Sequence, residues 1–384
     1  PLRQRLQTFA LFLHTSSVIL LPFLYFFLWC FPIFWPFLLI YTFGFYLNDR
    51  SPSNGNAPAR FSPWLRNCSI FEYFSTYFPV TLHKTADLKP TFVTAEVEAQ
   101  DYAIHPILRT ILPSILLKLL ESFRLVSKTT IIKKKQVRQG PRYIFGYHPH
   151  GIIAMGVTAG FTMECAGFSK MFPGITTFVT TLVNQFHLPF YRDYLMALGI
   201  TAVTRKNLRA LINQDMSVVI VVGGASESLL AKPGLNSIVL KKRKGFVKLA
   251  LEMVDDICLV PVYAFGENNI YDVYYTNDGD GPPLSQTRKN DGYIKRVLKG
   301  GQLWLKKNAG FTLPIIMSRG IFNYDFGLLP YRRPIDVVFG SPISVKRLNG
   351  HSPGDPVSED EINHYHTLYV NALQTLFDDH KAQF

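Results

Sequence analysis

The chain of 384 residues carries 40 Lys and Arg against 27 Asp and Glu, and its formal net charge is +13. That charge fits nucleic acid, an anionic membrane surface or a phosphate-bearing ligand, but we find no nucleic-acid motif, and a long apolar run argues against nucleic acid as a partner. The four cysteines lie far apart without ligand spacing, so we predict no metal site, no disulfide framework and a reducing compartment.

The apolar run lies near the amino end of the chain. Between Leu6 and Asn48 there is no Lys, Arg, Asp or Glu, and this length suffices for two membrane-spanning helices of about 20 residues each. Pro32 and Pro36, which stand beside tryptophans, mark a turn within it. We therefore predict a transmembrane helical hairpin in residues 1–50 with both ends in the cytosol, because arginines flank it on either side. A cleaved signal peptide and a buried core hairpin are the alternatives.

Residues 51–384 are predicted to form one large cytosolic domain, which begins with a Pro-rich linker from Ser51 to Pro63. Apolar residues recur at helical spacing from Ile107 to Phe123, and lysines follow them closely. This pattern predicts an amphipathic helix in an insert at about 90–139 that lies in the interface of an anionic membrane leaflet. A plain core helix with a solvated basic tail is the alternative.

The tetrapeptide His148-Pro149-His150-Gly151 stands between a strand-like apolar run, Tyr143 to Tyr147, and a run with helical spacing, Ile152 to Cys165. Free backbone N–H groups at a helix start favour neutral imidazole, which can remove a proton from an alcohol near neutral pH. We therefore predict a general-base enzyme, in which His150 is the base and His148 shapes the turn. Structural hydrogen bonding and metal ligation are the alternatives for this pair of histidines.

Further along the chain, short apolar strands alternate with helical stretches, which predicts an α/β fold with a mostly parallel central sheet covered by helices. One strand, Ser217 to Val222, ends at Gly223-Gly224 and is followed by Glu227. Parallel strands end at a common edge, so Glu227 should lie near His150 and orient or support its imidazole. The N–H groups of the glycines, including Gly151, would stabilise an oxyanion. A glycine turn with a helix-capping Glu is the alternative.

Two basic groups are candidates for binding phosphates. The first runs from Lys241 to Lys248, and a strand from Ile257 to Phe265 that ends at Gly266-Glu267 follows it. The second contains Arg319 and two further arginines interleaved with aromatic residues. Guanidinium groups match phosphate oxygens well. A solvated charge run and packing within a loop are the alternatives.

Five segments occur in the order found in one known family, and the chain resembles the type 2 diacylglycerol acyltransferases, with the fungal members nearest. The segments are Tyr77-Phe78-Pro79, Phe145 to Gly151, Val221 to Glu227, Arg243 to Glu267 and Arg319 to Pro334. The resemblance implies a glycerolipid-acyltransferase-like fold in a protein of the endoplasmic reticulum membrane and lipid droplets, whose catalytic domain faces the cytosol. It implies transfer of a fatty acyl group from acyl-CoA to diacylglycerol, which gives triacylglycerol without a cofactor.

On this resemblance we assign the matched residues to the substrates. The candidates for substrate binding are Gly151, Gly223, Gly224, Tyr77, Phe78, Pro79, Arg205, Arg243, Gly245, Phe246, Lys248 and Arg319. Among them, Arg205, Arg243, Lys248 and Arg319 are predicted to contact the phosphates of CoA.

A looser similarity reaches the glycerol-phosphate acyltransferase superfamily, in which an Asp five residues after a His completes a dyad. Here Ile153 and Met155 occupy the positions five residues after the two histidines, so Glu227 is our candidate for the supporting carboxylate. We predict that His150 deprotonates the diacylglycerol hydroxyl while Glu227 supports the imidazolium. A monoacylglycerol or fatty alcohol acceptor, a hydrolase, and a non-enzymatic lipid-droplet protein are the alternatives, and a homo-oligomer stays open.

Overall fold

The computed structural model describes residues 2–102, 122, 128–228, 231, 233–253, 256–273, 316–321, 327–348 and 355–384. The chain divides into two compact units. The main unit comprises Pro1–Lys89 and Pro141–Phe384, and the small unit comprises Pro90–Gly140.

The amino-terminal segment, residues 2–47, begins with the apolar helix α1, Leu2–Leu28. Within the described residues, α1 is the one helix long and apolar enough to cross a membrane. A 3-10 turn at Pro32–Phe34 leads to α2, Trp35–Leu39, and to a π-helix, Ile40–Tyr46. These pieces have 5 and 7 residues, so neither spans the roughly 30 Å of a hydrocarbon core. The predicted hairpin of two spanning helices is therefore not confirmed, and the segment has one long apolar helix followed by short helical pieces.

The two halves of α1 differ in their surroundings. Ala10 and Leu11 in the first half are buried in the core of the main unit, and Gln7 donates to the carbonyl of Thr76 at 3.1 Å. The second half exposes most of its large apolar side chains, for example 71% of Ile19 and 64% of Phe23, although Tyr25 is buried and packs against Phe190. The first half is thus part of the folded domain, and the second half touches the domain along one side only.

The main unit is built on an eight-stranded sheet. The strand order is β1-β11-β8-β4-β7-β5-β6, with β12 paired to β8. Five pairs are parallel, and β8 pairs antiparallel with β11 and β12. The mostly parallel sheet is confirmed. Its strands are β1 Val80–Lys84, β4 Arg142–His148, β5 Thr177–Thr181, β6 Ile200–Ala202, β7 Ser217–Val221, β8 Ile257–Phe265, β11 Ile335–Phe339 and β12 Ile343–Val345.

Both faces of the sheet are covered. Along β4, Phe145 and Tyr147 contribute to one buried apolar cluster, whereas Ile144 contributes to a second. This alternation is what a strand buried on two sides requires. The helices are α3 Ser51–Asn54, α4 Pro63–Arg66, α5 Ile70–Tyr77, α6 Met155–Val157, α7 Phe168–Met171, α8 Tyr191–Ala197, α9 Arg205–Asn213, α10 Ala225–Ser228, α11 Gly245–Glu252 and α12 Glu359–His380.

The small unit is an antiparallel pair of long strands, β2 Phe92–Tyr102 and β3 Lys128–Arg138, with Phe92 opposite Arg138. The predicted amphipathic helix from Ile107 to Phe123 lies outside the described residues, apart from Ser122. The lysines expected to trail that helix stand on β3 instead. Two short strands, β9 Asp272–Val273 and β10 Ile316–Met317, pair separately in the main unit.

Candidate active site

The histidine motif lies where the central strand β4 ends, between the parallel strands β7 and β8. Residues 148–154, here called the histidine loop, connect β4 to α6. The predicted helix start at Ile152 is wrong, because the helix begins at Met155. The first helical N–H groups therefore lie away from His150, and they are bound by another residue described below.

His148 points into the protein. Its side chain is fully buried, and its Nε2 lies 3.1 Å from the hydroxyl of Tyr369, which itself donates to the carbonyl of Gly146 at 3.0 Å. Since the single hydroxyl proton of Tyr369 is directed at Gly146, Nε2 of His148 carries the proton of this contact. Burial lowers the pKa of His148 to about 3. His148 is therefore a neutral structural hydrogen-bond donor at the base of the loop.

His150 has the opposite orientation and is partly exposed. Its Nδ1 lies 3.0 Å from the carbonyl oxygen of Gly151. A carbonyl only accepts, so Nδ1 carries the proton and Nε2 holds a lone pair. Burial lowers the pKa of His150, although the Gly151 carbonyl partly offsets that effect. At neutral pH the group is an imidazole whose Nε2 has no hydrogen-bond partner among the described residues.

Glu227 lies against His150, but at its backbone. One carboxylate oxygen accepts the N–H of His150 at 2.5 Å, and the other accepts the N–H of Val239 at 2.7 Å. Glu227 is 2% exposed. Burial raises the pKa of its carboxylate, and the two amides and Arg243 counteract that effect. The sequence correctly predicts the proximity of Glu227 to His150. In this arrangement Glu227 fixes the main chain of His150, and the Gly151 carbonyl contacts the imidazole.

Glu267, to which the sequence analysis gave no role, is a second buried carboxylate at the loop. Its oxygens accept the N–H groups of Met155 and Gly156, both at 2.8 Å, and the hydroxyl of Tyr147 at 2.7 Å. Burial raises its pKa to about 7. Glu267 thus holds the first turn of α6. Its signal was present in the sequence, because Gly266-Glu267 follows β8 just as Gly223-Gly224 and Glu227 follow β7.

The carboxylates of Glu227 and Glu267 lie so close to the backbone that two positions of the sequence motifs must be glycine. Gly151 has φ +60, and a Cβ there would lie 2.7 Å from Cγ of Glu267. A Cβ on Gly223 would overlap the carboxylate of Glu227. Gly224 also has φ +60, but open space surrounds it. The loop can therefore approach both carboxylates closely only with glycine at positions 151 and 223.

The first basic group begins beside the histidine loop. The guanidinium of Arg243 donates to the carbonyl of Gly223 at 3.3 Å, and its side chain is exposed. Gly245 begins α11 at the surface, Phe246 is buried in the core, and Lys248 is exposed one turn along the helix. Arg243 and Lys248 are therefore the two predicted phosphate ligands with exposed side chains in this part of the chain.

The other predicted substrate residues are engaged within the protein. Arg205 is exposed and pairs with Glu252. Arg319 is 7% exposed and donates to the hydroxyl of Tyr77 at 3.0 Å. Tyr77 and Phe78 are buried in the core, and Pro79 leads directly from them into β1. These contacts give Tyr77, Phe78 and Arg319 a packing role and place them away from solvent.

A cavity of about 800 Å³ lies elsewhere in the main unit. Its walls include Arg66, Glu164 and Thr177, and Thr177 is the first residue of β5. It therefore borders the amino end of β5, whereas the histidine loop follows the carboxyl end of the parallel strand β4, and none of the predicted site residues lines it.

Comparison with known proteins gives consistent matches. A sequence profile described as diacylglycerol acyltransferase matches residues 26–94 and 124–384. Diacylglycerol O-acyltransferase 1 of Eremothecium gossypii is 43% identical over 386 residues, which cover 100% of this chain and 77% of the relative. The protein of the same name from Saccharomyces cerevisiae is 41% identical over 387 residues, with 100% and 85% coverage. 2-Acylglycerol O-acyltransferase 1 of Bos taurus is 34% identical over 397 residues, with 100% and 94% coverage.

Proposed function

Because this chain belongs to the diacylglycerol acyltransferase family and is an acyltransferase enzyme, we propose that it esterifies diacylglycerol with the acyl group of acyl-CoA. The products are triacylglycerol and free CoA. Acyl-CoA is consumed as a substrate, and the proposed reaction uses no further cofactor. The observation that carries the proposal is the hydrogen bond between Nδ1 of His150 and the Gly151 carbonyl, which leaves Nε2 as a base at the carboxyl edge of the sheet.

In the proposed reaction, Nε2 of His150 removes the proton from the acceptor hydroxyl while the oxygen attacks the thioester carbonyl. The tetrahedral intermediate collapses as the carbon–sulfur bond breaks, and the imidazolium returns its proton to the CoA thiolate. A lowered pKa keeps His150 unprotonated before the attack. The Gly151 carbonyl stabilises the imidazolium once it forms, and Glu227 supports it indirectly by holding the backbone of His150.

The developing oxyanion needs a hydrogen-bond donor close to the base. The N–H groups of Gly151, Gly223 and Gly224 are the proposed donors, since both glycine turns lie beside His150. One such donor contributes about 3 to 4 kcal/mol in comparable enzymes.

Arg243 and Lys248 are the proposed contacts of the CoA phosphates. Arg243 lies next to the glycine turn at Gly223, and both side chains are exposed. A guanidinium in this position would hold the CoA end of the thioester near His150. Arg205 and Arg319 remain candidates only if their present partners, Glu252 and Tyr77, release them.

The amino-terminal segment is the proposed membrane anchor. The hydroxyl of Tyr25 contacts that of Thr42 at 2.8 Å, so the short second arm folds back against α1. The exposed apolar residues of both arms favour a helical hairpin that enters and leaves the membrane on one side. The family resemblance favours the endoplasmic reticulum membrane and lipid droplets as locations, with the catalytic domain in the cytosol.

A monoacylglycerol acceptor is the second candidate, because one relative of similar length is named 2-acylglycerol O-acyltransferase. The reaction at His150 would be the same with either acceptor, and a fatty alcohol is a third. The preference among these acceptors depends on the space that the site offers around the acceptor hydroxyl, because the base is the same for all of them.

The test uses the purified full-length chain with labelled oleoyl-CoA and three acceptors in parallel: dioleoylglycerol, 2-oleoylglycerol and hexadecanol. We expect labelled triacylglycerol as the main product. A higher kcat/KM with 2-oleoylglycerol or hexadecanol would reassign the acceptor. Folded protein that esterifies none of the three would overturn the proposed function.

A further inference from the structure

The carboxyl edge of the sheet carries exposed apolar side chains as well as His150. Leu182 and Val183 directly follow β5, and Val203 directly follows β6. Their exposed fractions are 37%, 36% and 40%. The N–H of Val203 donates to the carbonyl of Thr181 at 2.8 Å, which holds the two strand ends side by side. Leu182, Val183 and Val203 are called the edge patch below.

The strand register places the edge patch level with the histidine motif. One row of paired residues crosses four strands and consists of Gly146, Ile220, Thr180 and Thr201. His148, Leu182 and Val203 each lie two residues beyond this row on their own strands. Since neighbouring strands are about 4.8 Å apart, the edge patch begins roughly 10 Å from the histidine motif, along the same edge.

The edge patch is continuous with the amino-terminal segment. Val183 begins the 3-10 helix Val183–His187, and the hydroxyl of Tyr46 donates to the carbonyl of His187 at 2.6 Å. Arg192 donates to the carbonyls of Tyr46 and Asp49, both at 2.7 Å. The exposed side chains that lead to this junction are Phe43, Phe45 and Leu47. The 3-10 helix therefore connects the edge patch directly to the amino-terminal segment.

A basic helix stands beside the edge patch. Helix α9 begins directly after Val203 and Thr204, and it contains no acidic residue. Its exposed face carries Lys206 and Arg209, next to Arg205, which pairs with Glu252. Apolar residues next to cations are the arrangement that suits the surface of an anionic leaflet, where the cations meet lipid phosphates.

We propose that the edge patch rests on the surface of an anionic lipid leaflet, so that the acceptor hydroxyl reaches His150 from the plane of the membrane. The identity of that acceptor rests on the proposed function, whereas the contact between the edge patch and lipid does not. The direct connection to the apolar amino-terminal segment and the basic face of α9 favour lipid over a second protein chain as the occupant.

The first experiment measures the contact directly. A photoactivatable diazirine amino acid is placed at Val183, at Val203 or, as the control, at Trp64 of the full-length chain in phosphatidylcholine and phosphatidylserine vesicles. Trp64 is 78% exposed and belongs to α4, whose residues Pro63 and Arg66 line the cavity at the amino end of β5. We expect phospholipid adducts at 183 and 203 and only background at 64. Adducts with a second chain, or equal labelling at all three positions, would overturn the proposal.

The second experiment tests the consequence for catalysis. The double variant Val183→Glu with Val203→Glu is compared with Trp64→Glu, using dioleoylglycerol in vesicles and short-chain dioctanoylglycerol added in solution. We expect the ratio of the two rates to fall by about tenfold in the double variant, because charged side chains are costly in lipid, and to keep its wild-type value in Trp64→Glu. An unchanged ratio in the double variant would overturn the proposal. Wild-type protein that esterifies neither acceptor would refute the proposed function instead, and the cross-links would still decide the lipid contact.

Discussion

The two faces of the histidine loop use the same residue types for different purposes. On the inner face, His148 is fully buried against Tyr369, and Glu267 accepts three hydrogen bonds beneath Gly151. On the outer face, His150 is partly exposed, and Glu227 holds its backbone. Burial and hydrogen-bond partners distinguish a structural histidine from a candidate base. The inner face should therefore control stability, and the outer face should control the rate.

The largest expected effect is on the outer face. His150→Ala removes the proposed base and should lower kcat by about 10² to 10⁴, the usual contribution of a general base, while the melting temperature changes little. Its matched variant is His148→Ala, which should lower the melting temperature and leave a larger share of the rate. The two variants are compared by labelled triacylglycerol formation and thermal unfolding. Equal rate losses would remove the distinction between the two faces.

Glu227→Gln distinguishes two roles for the outer carboxylate. A carboxylate that directly orients a catalytic imidazole costs about 10⁴ in kcat when it is replaced by its amide. Here Glu227 contacts the backbone of His150, and losing one of its two amide partners should cost about 1 to 3 kcal/mol, which corresponds to roughly fivefold to 150-fold in rate. Steady-state kinetics of Glu227→Gln distinguish these two roles. A loss near 10⁴ would mean that Glu227 reaches the imidazole during turnover.

Glu267→Gln should act mainly on stability. The amide keeps one acceptor oxygen but directs an NH2 group at a backbone N–H, which costs about 1 to 3 kcal/mol and lowers the melting temperature by several degrees. Glu72→Gln, at an exposed position on α5, is the control and should change nothing. The measurement is thermal unfolding in detergent. A melting temperature equal to that of the control would show that the carboxylate does not hold the loop.

Tyr369→Phe is expected to have the smallest effect on the rate. It deletes the hydroxyl that donates to Gly146 and accepts from His148, which leaves the buried imidazole N–H without its partner at a cost of about 1 to 3 kcal/mol, so the melting temperature should fall. The rate should stay close to that of the unmodified chain, because the change lies on the inner face. A large fall in kcat with unchanged stability would place Tyr369, and with it His148, in the reaction.

Much of the sheet could be predicted from the sequence. The predicted strands Tyr143 to Tyr147, Ser217 to Val222 and Ile257 to Phe265 match β4, β7 and β8 to within one residue at each end. Strands that are buried on both faces read as short apolar runs, and glycines or charged residues mark their ends. The shared edge of parallel strands then brings Glu227 to His150 without any knowledge of the structure.

The remaining features depend on distant contacts. Tyr369 follows His148 by 221 residues, and Glu267 follows Met155 by 112. Such pairings have no local pattern, because they arise only when α12 and β8 pack beside β4. The predicted helix start at Ile152 is wrong for a related reason. The apolar residues with helical spacing begin in the turn after Gly151, but the helix itself begins only at Met155, where Glu267 accepts its first N–H groups. The hairpin prediction followed composition, which does not reveal that the first half of α1 packs on the domain.

The pH dependence of kcat/KM shows whether neutral His150 is the base on the outer face. Burial lowers the pKa of His150, so the base form persists below the usual histidine value of about 6.5 and activity is lost only as the pH falls further. We expect an acid limb with a midpoint below that value in the unmodified chain, and no such limb in the residual activity of His150→Ala. A midpoint at or above the usual value, or a limb that survives in His150→Ala, would contradict it.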